Sequence, residues 1–184
     1  MASTDPGKFW KTPFIWEPGC PQPMPATLSF EPVDTEWLPH AVASVMAASV
    51  DETDQFAVDR LGALGAAHQL LAVASADFEV RPGWWRMARD KKRDPVGFVL
   101  PVLFRGEKTW RYGQPEGTIF YIGVLPSHRG RGHGAQLLAE ATRVAIAANC
   151  WRNFCDTSSR NEPMIRAFRS AGYKELAPWQ RPIE

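Results

Sequence analysis

With 184 residues, 45% of them hydrophobic and 22% charged, the chain is long enough for one domain with a substantial core. Its 21 Lys and Arg offset 20 Asp and Glu, so no overall field attracts nucleic acid or an anionic membrane, and any charge selectivity must be local. Three cysteines, Cys20, Cys150 and Cys155, with no histidine pair at zinc spacing, argue against a disulfide framework and a metal site and for a reducing, cytoplasmic setting.

Six of the sixteen prolines fall in the first 25 residues, MASTDPGKFWKTPFIWEPGCPQPMP. Proline excludes helix and hinders sheet pairing, so residues 1–26 read as an arm outside the framework of a domain at 27–184. No apolar signal-peptide stretch follows Lys8 and Lys11. Phe9, Trp10, Phe14 and Trp16 suit an arm pinned across its own domain, or across a partner subunit in a homodimer, because disordered tails are poor in such residues.

Alternation in TLSFEPV, with Leu28, Phe30 and Val33, predicts a first strand. Asp34 or Thr35 can cap the helix that follows, with Pro39 in its first turn and Leu38, Val42 and Val45 on one face. A second helix is predicted from Asp51, with Ala57, Leu61, Leu64, His68 and Leu71 three and four apart; on that stripe His68 reads as a core histidine. RPGWWRMARDKKRDPVGFVLPVLF then reads as two strands about a turn. Its basic residues beside Trp84 and Trp85 superficially suggest a nucleic-acid surface, but Asp90 and Asp94 partly neutralise them and charges at a hairpin tip are usually just solvated. The longest apolar run, Val96 to Phe104, is broken by Pro101 and falls far short of the ~20 residues of a membrane span.

A polar connection over 105–117 leads into the strand TIFYIGVL, which stops at Pro126. Past the glycine-rich loop, Leu137, Leu138, Ala141, Val144, Ala145 and Ala148 form a helical stripe. NFCDTS is short enough for a strand. Asn161 then caps a helix with Pro163 in its first turn, Met164, Ile165 and Phe168 facing inward, and Gly172 at its end. A last strand is predicted from Tyr173 to Ile183. The order is an α+β (α/β layered) fold, a mixed sheet with about four helices.

VLPSHRGRGHGAQLL, residues 124–138, joins that strand to its helix. Gly130, Gly132 and Gly134 remove Cβ from every second residue, so backbone amides can converge on an anion, and the helix amino terminus adds about half a positive charge in the same direction. Arg129 and Arg131 stand at the rim. The guest this predicts is a phosphate or pyrophosphate.

Gly130, Gly132 and Ala135 also satisfy G-x-G-x-x-A formally, with Asp156 about 20 residues on where a nicotinamide-cofactor domain keeps its ribose acid. Against an NAD(P)-binding oxidoreductase stand the four residues between strand and first glycine, and the 28 residues left after Asp156, too few for the rest of that sheet. A P-loop is excluded because no Lys-Ser or Lys-Thr follows the glycines.

Val124-x-Pro126-x-x-Arg129-Gly130-x-Gly132-x-Gly134 resembles the acyl-CoA signature of the GNAT-type N-acetyltransferases, whose pattern is Gln or Arg, two residues, Gly, one residue, then Gly or Ala. Asn161 and the run from Ala167 to Tyr173 resemble that family's second landmark, an Asn opening a helix that closes on a Gly-aromatic pair. The resemblance is specific from about Gly117 to Tyr173. It implies an acyl-CoA N-acyltransferase fold whose sheet splays between the fourth and fifth strands, TIFYIGVL and NFCDTS, with Gly123 suiting a bulge that starts the splay. It implies acetyl-CoA as co-substrate, with Ile122, Gly123 and Val124 bonding the pantetheine and the amides of Arg129, Gly130, Arg131, Gly132, His133, Gly134 and Ala135 holding the pyrophosphate. Asn161 would touch the pantetheine amide or a water, and Phe168 would pack near the thiol end.

Acetyl transfer to a primary amine of a small molecule or protein needs a base, because an alkylamine of pKa near ~10.4 is protonated at pH 7. The chain departs from the family at both side-chain posts: Phe168 stands where many relatives carry a tyrosine acid, and Phe120 and Tyr121 where many carry a carboxylate base. Tyr121 is the best-placed titratable residue, and Glu116 could act through water; His133 and Asp156 read as a loop spacer and a strand-end cap. A CoA-binding regulatory module without turnover is the rival that these departures raise.

Overall fold

The computed structural model describes residues 8–106 and 109–182. Residues 1–7 of the arm, 107–108 of the polar connection and Ile183 of the last strand lie outside the described residues.

Strand β1 (Lys8–Trp16) and β2 (Ser29–Pro32) precede helices α1 (Trp37–Ala47) and α2 (Glu52–Asp77). Then come β3 (Phe78–Glu79), β4 (Arg86–Arg89), β5 (Pro95–Phe104) and β6 (Glu116–Val124). A 3-10 turn at Pro126–His128 leads into α3 (His133–Ala147), followed by β7 (Arg152–Ser158), α4 (Glu162–Ser170), β8 (Lys174–Glu175) and β9 (Trp179–Pro182). Among the described residues the strands form one sheet in the order β2-β4-β5-β6-β7-β1-β8, with β3 also on β5 and β9 also on β1. All pairings are antiparallel except β6 with β7.

Local signals account for most of these elements. Asp34 Oδ1 accepts from the amides of Glu36 (2.8 Å) and Trp37 (2.9 Å) at the start of α1, and Asp51 Oδ1 accepts from Thr53 N (2.9 Å) at the start of α2. In β5, Val99 belongs to the cluster under α3 and α4, with Leu137, Leu138, Ile165 and Phe168. Its neighbours Phe98 and Leu100 belong to the opposite cluster, with Val42 and Val45 of α1 and Ala66 and Ala67 of α2. The strand is apolar throughout because both of its faces are covered.

Three expectations are corrected. Residues 8–16 are a strand inside the sheet rather than an arm outside it: β1 pairs with β7 along Lys11–Trp16 and on its other side with β9 and β8. Pro13 is tolerated because it falls where β9 has ended and β8 has not begun, so no ladder there needs its missing amide hydrogen. The aromatics pin this strand to its own chain, with Phe14 stacked on Phe168 at 4.5 Å between ring centroids and Trp16 Nε1 donating to Pro21 O (3.1 Å). The predicted α2 stripe fails because Gly62, at φ 71° and ψ 160°, breaks the helical path; beyond it Ala66, Ala67 and Ala74 are buried while His68 is exposed, not a core histidine. The last strand is two short ones, β8 and β9.

The bulge is also displaced. Registers between β5 and β6 shift at Leu100/Pro101, leaving Phe120 without a partner, opposite a proline that cannot donate. Gly123 is needed for another reason: a Cβ there would stand 2.7 Å from both Cγ atoms of Val45, so only glycine lets α1 lie this close on β6.

Candidate active site

Strands β6 and β7 pair only through Glu116 with Arg152 and Gly117 with Asn153. Beyond Gly117 they part, and a cleft of about 910 Å³ opens between them. It is walled on one side by Phe120 to Val124 of β6 and on the other by Asp156 and Thr157 of β7 with Asn161, Ala167 and Phe168. One end is floored by Gly130, Gly132, His133, Gly134 and Ala135, and the other reaches Lys11, Asp51, Asp54 and Arg181.

The glycine end is built for an anion. Gly130 and Gly132 both take φ 76°, a left-handed conformation that glycine adopts at no steric cost. Gly132 is the residue at which α3 begins, so no side chain caps this helix and no acidic residue lies in its first turn. By contrast α2 is capped by Asp51 and α4 by Asn161, whose Oδ1 accepts from Met164 N (3.3 Å). The first-turn amides of α3 are therefore donors that no side chain satisfies. His133 Nδ1 and His128 Nδ1 are likewise buried with no hydrogen-bond partner among the described residues. Burial, with His128 and Arg131 nearby, pushes the His133 imidazole below its ordinary value against a smaller pull from Asp90.

The rim arginines behave differently from expectation. Arg129 lines the cleft, but its guanidinium donates to Ala48 O (2.7 Å), Val45 O (3.4 Å) and Val124 O (3.3 Å). Its charge therefore sits on the carbonyl end of α1, a favourable place for a cation. Arg131 donates to Ser127 O (3.4 Å) and does not line the cleft.

At the far end Lys11 Nζ, from β1, lies 3.0 Å from Asp51 Oδ2 and 4.0 Å from Asp156 Oδ1. Burial would raise Asp51, but the Lys11 ammonium and the Thr53 amide hold its carboxyl below the usual carboxylate range. Burial raises Asp156 despite Lys11 and Arg181. Asp54 is buried too, and its Oδ2 accepts from the Tyr121 hydroxyl (2.7 Å). Burial raises its carboxyl, while the hydroxyls of Ser49 and Tyr121 only partly offset the effect.

The cleft thus brings together Tyr121, Ile122, Gly123, Val124, Arg129, Gly130, Gly132, His133, Gly134, Ala135, Asn161 and Phe168. Glu116 is excluded. It sits at the closed end of β6 with its carboxylate on the Arg152 guanidinium, five residues or roughly 16 Å along the strand from Tyr121.

A family model described as the acetyltransferase (GNAT) family matches residues 49–173. The chain belongs to the GNAT acetyltransferase family. Solved structures share its fold: a GCN5-related N-acetyltransferase from Sphaerobacter thermophilus is 18% identical, with 96% of this chain and 52% of that chain covered and a TM-score of 0.57. A GNAT-family acetyltransferase from Colwellia psychrerythraea is 15% identical (97% and 56% covered, TM-score 0.57). An aminoglycoside 6'-N-acetyltransferase from Acinetobacter haemolyticus is 19% identical (81% and 92% covered, TM-score 0.51). The chain spans about half the length of the first two. No curated protein sequence matches it.

Within this GNAT fold, the mixed sheet and the splay between the strands holding TIFYIGVL and NFCDTS are as the resemblance implied. Sequence reasoning missed Lys11 and Asp54 as site residues. Nothing local marks them: Lys11 reaches the cleft only because β1 enters the sheet, and Asp54 only because the first turn of α2 faces Tyr121.

Proposed function

We propose that this protein transfers an acetyl group from acetyl-CoA to a primary amine of a small molecule or protein, in a complex holding both. The observation that carries the reading is the single cleft that joins an uncapped helix amino terminus to an unpaired strand edge and then to an ionisable pocket. Beyond Gly117, β6 has no ladder partner on the β7 side among the described residues, so the backbone groups from Ile122 to Val124 that face away from β5, apart from the Val124 carbonyl that accepts from Arg129, would bond the pantetheine amides as a strand would. The amides around Gly130, Gly132, His133, Gly134 and Ala135 would take the pyrophosphate. Asn161 and Phe168 line the wall between these stations.

When bound, acetyl-CoA supplies an electrophilic acyl carbon and a thiolate leaving group. The chain's part is to bring a nucleophilic nitrogen alongside, which alone supplies a large share of such a rate, and to receive its proton. Among the described residues no helix is long and apolar enough to cross a membrane.

Isothermal calorimetry with acetyl-CoA and with NADH tests the reading: saturable binding of acetyl-CoA and none of NADH is expected, and the reverse overturns it in favour of an oxidoreductase. CoA release across a panel of primary amines then separates an enzyme from a CoA-binding regulatory module. Binding without amine-dependent release favours the module.

A further inference from the structure

Asp51 and Asp54 stand three positions apart on the chain, both on the cleft, in opposite company. Asp51 meets the Lys11 ammonium at 3.0 Å and accepts amide hydrogens from Thr53 (2.9 Å) and Ser158 (3.1 Å). Asp54, only 7% exposed, has no cation within ion-pair distance among the described residues; the Ser49 hydroxyl lies beside it and the Tyr121 hydroxyl donates to it across the cleft at 2.7 Å. We propose that Asp54 is the catalytic residue that accepts the proton of the acceptor amine, and that Tyr121 is the positioning residue that ties its carboxylate to β6. This inference rests on the acetyltransferase reading above.

The other ionisable groups are placed for other work. Lys11, reaching from β1, stands between Asp51 and Asp156 of β7, at 3.0 and 4.0 Å, so both of those carboxylates face its ammonium and Asp54 does not pair with it. Burial first, then the Asp54 carboxylate, pushes the Tyr121 phenol well above its ordinary value, with Arg129 opposing only weakly, so it stays a donor across the working range. His128 and His133 lie at the glycine end, and Glu116 is neutralised by Arg152 outside the cleft. Two carboxylates whose surroundings drive them apart are the usual mark of a divided role, one a charge anchor and one a proton acceptor. The apolar wall beside them, Val50, Leu70 and Val73, suits an amine carried on an apolar body.

In the step itself the amine nitrogen forms a bond to the acyl carbon as the carbon–sulfur bond breaks. The acceptor arrives as the ammonium, so nitrogen sheds two protons, one to the Asp54 carboxylate before it attacks and one to water as the amide forms, and the bonding pair leaves with sulfur, which takes a proton from water. Asp54 then returns its proton to solvent.

The test uses the full chain with acetyl-CoA and 4-phenylbutylamine, tyramine and a lysine peptide as acceptors, read by CoA release. Asp54→Asn keeps an oxygen for Tyr121 to donate to, and is expected to lower kcat about 100-fold while leaving the calorimetric Kd for acetyl-CoA within twofold. It also removes the acid limb of the kcat/KM profile. Tyr121→Phe removes a donor that lowers the Asp54 carboxyl, so that limb moves to higher pH, a shift that a merely structural residue would not cause. Thermal melts of both variants establish folding; if Asp54→Asn does not fold, the Tyr121→Phe shift decides. Unchanged kcat and pH profile in the variants overturn the inference, as does acetyl-CoA binding without amine-dependent release in the wild type. Failure of wild-type acetyl-CoA binding overturns the cofactor reading instead.

Discussion

Replacing Lys11 with Met exposes what the β1 ammonium does for this cleft. Its side chain is 8% exposed and those of Asp51 and Asp156 are 13% and 23%, so the substitution leaves two poorly hydrated carboxylates facing a methyl group. Removing one partner of a buried pair costs about 3 to 5 kcal/mol. Thr53 and Ser158 still donate to Asp51, so the low end, about 3 kcal/mol near neutrality, is expected, a fall in Tm of roughly 6 to 12 °C for a chain of this size. The loss must depend on pH. In the wild type the depressed carboxyl of Asp51 contributes stability that is present above the ordinary carboxylate value and lost as pH falls through its folded value. Without Lys11 the burial that raises Asp51 is opposed chiefly by Thr53, so its carboxyl moves upward, towards the behaviour of Asp54 and Asp156, whose raised carboxyls favour the folded state at low pH and lose that gain as pH rises through their folded values. Urea denaturation at pH 7.5 and 5.0 is the assay, and the deficit of Lys11→Met should shrink by about 1 kcal/mol or more on acidification. Equal deficits at both values, or a deficit under about 1 kcal/mol at pH 7.5, would refute the argument that this ammonium holds the carboxylates ionised.

Gly132→Ala meets no atom within 4 Å of its new Cβ, so its cost is conformational, about 1 to 2 kcal/mol at this left-handed position. Calorimetry should show at least tenfold weaker acetyl-CoA binding as the amides turn away, and wild-type affinity would count against the loop as anion site. Glu116→Gln, by unpairing Arg152, should lower stability by about 1 to 3 kcal/mol in urea with the acetyl-CoA Kd unchanged. Phe168→Ala removes a ring stacked on Phe14 and edge-on to Tyr173 at 5.2 Å, and a loss of about 3 to 5 kcal/mol is expected by calorimetric melting.

What could be read from the chain was what neighbours in sequence decide. The strand, loop and helix from Glu116 to Ala147 and the Asn161 cap carry their signals within a few residues, and the glycine loop lies where that reading put it. The side chains of Arg129 and Arg131 did not follow, because their partners are backbone carbonyls at Ala48 and Ser127, the first 81 residues away. The α2 stripe does not hold because the positive-φ residue Gly62 resets the helical phase; the glycine in LGALG is the local signal of that break, and the apolar periodicity on either side of it masks the signal. For residues 8–25 the prolines argued correctly against helix. They were no guide to sheet membership, since whether Pro13 is tolerated depends on a gap between β8 and β9 at the other end of the chain.

The place of β1 in the sheet sets the timing of folding. Thr12 meets Ser159 across 147 residues, so this strand leaves the ribosome long before β7, β8 and β9 and must wait for them with Phe14 and Trp16 uncovered. Closing so long a loop is slow, and an apolar strand held open meanwhile is a hazard for misassembly. The proline-rich sequence around it, poor at pairing with itself or with other chains, is therefore as well suited to the waiting as to the finished sheet.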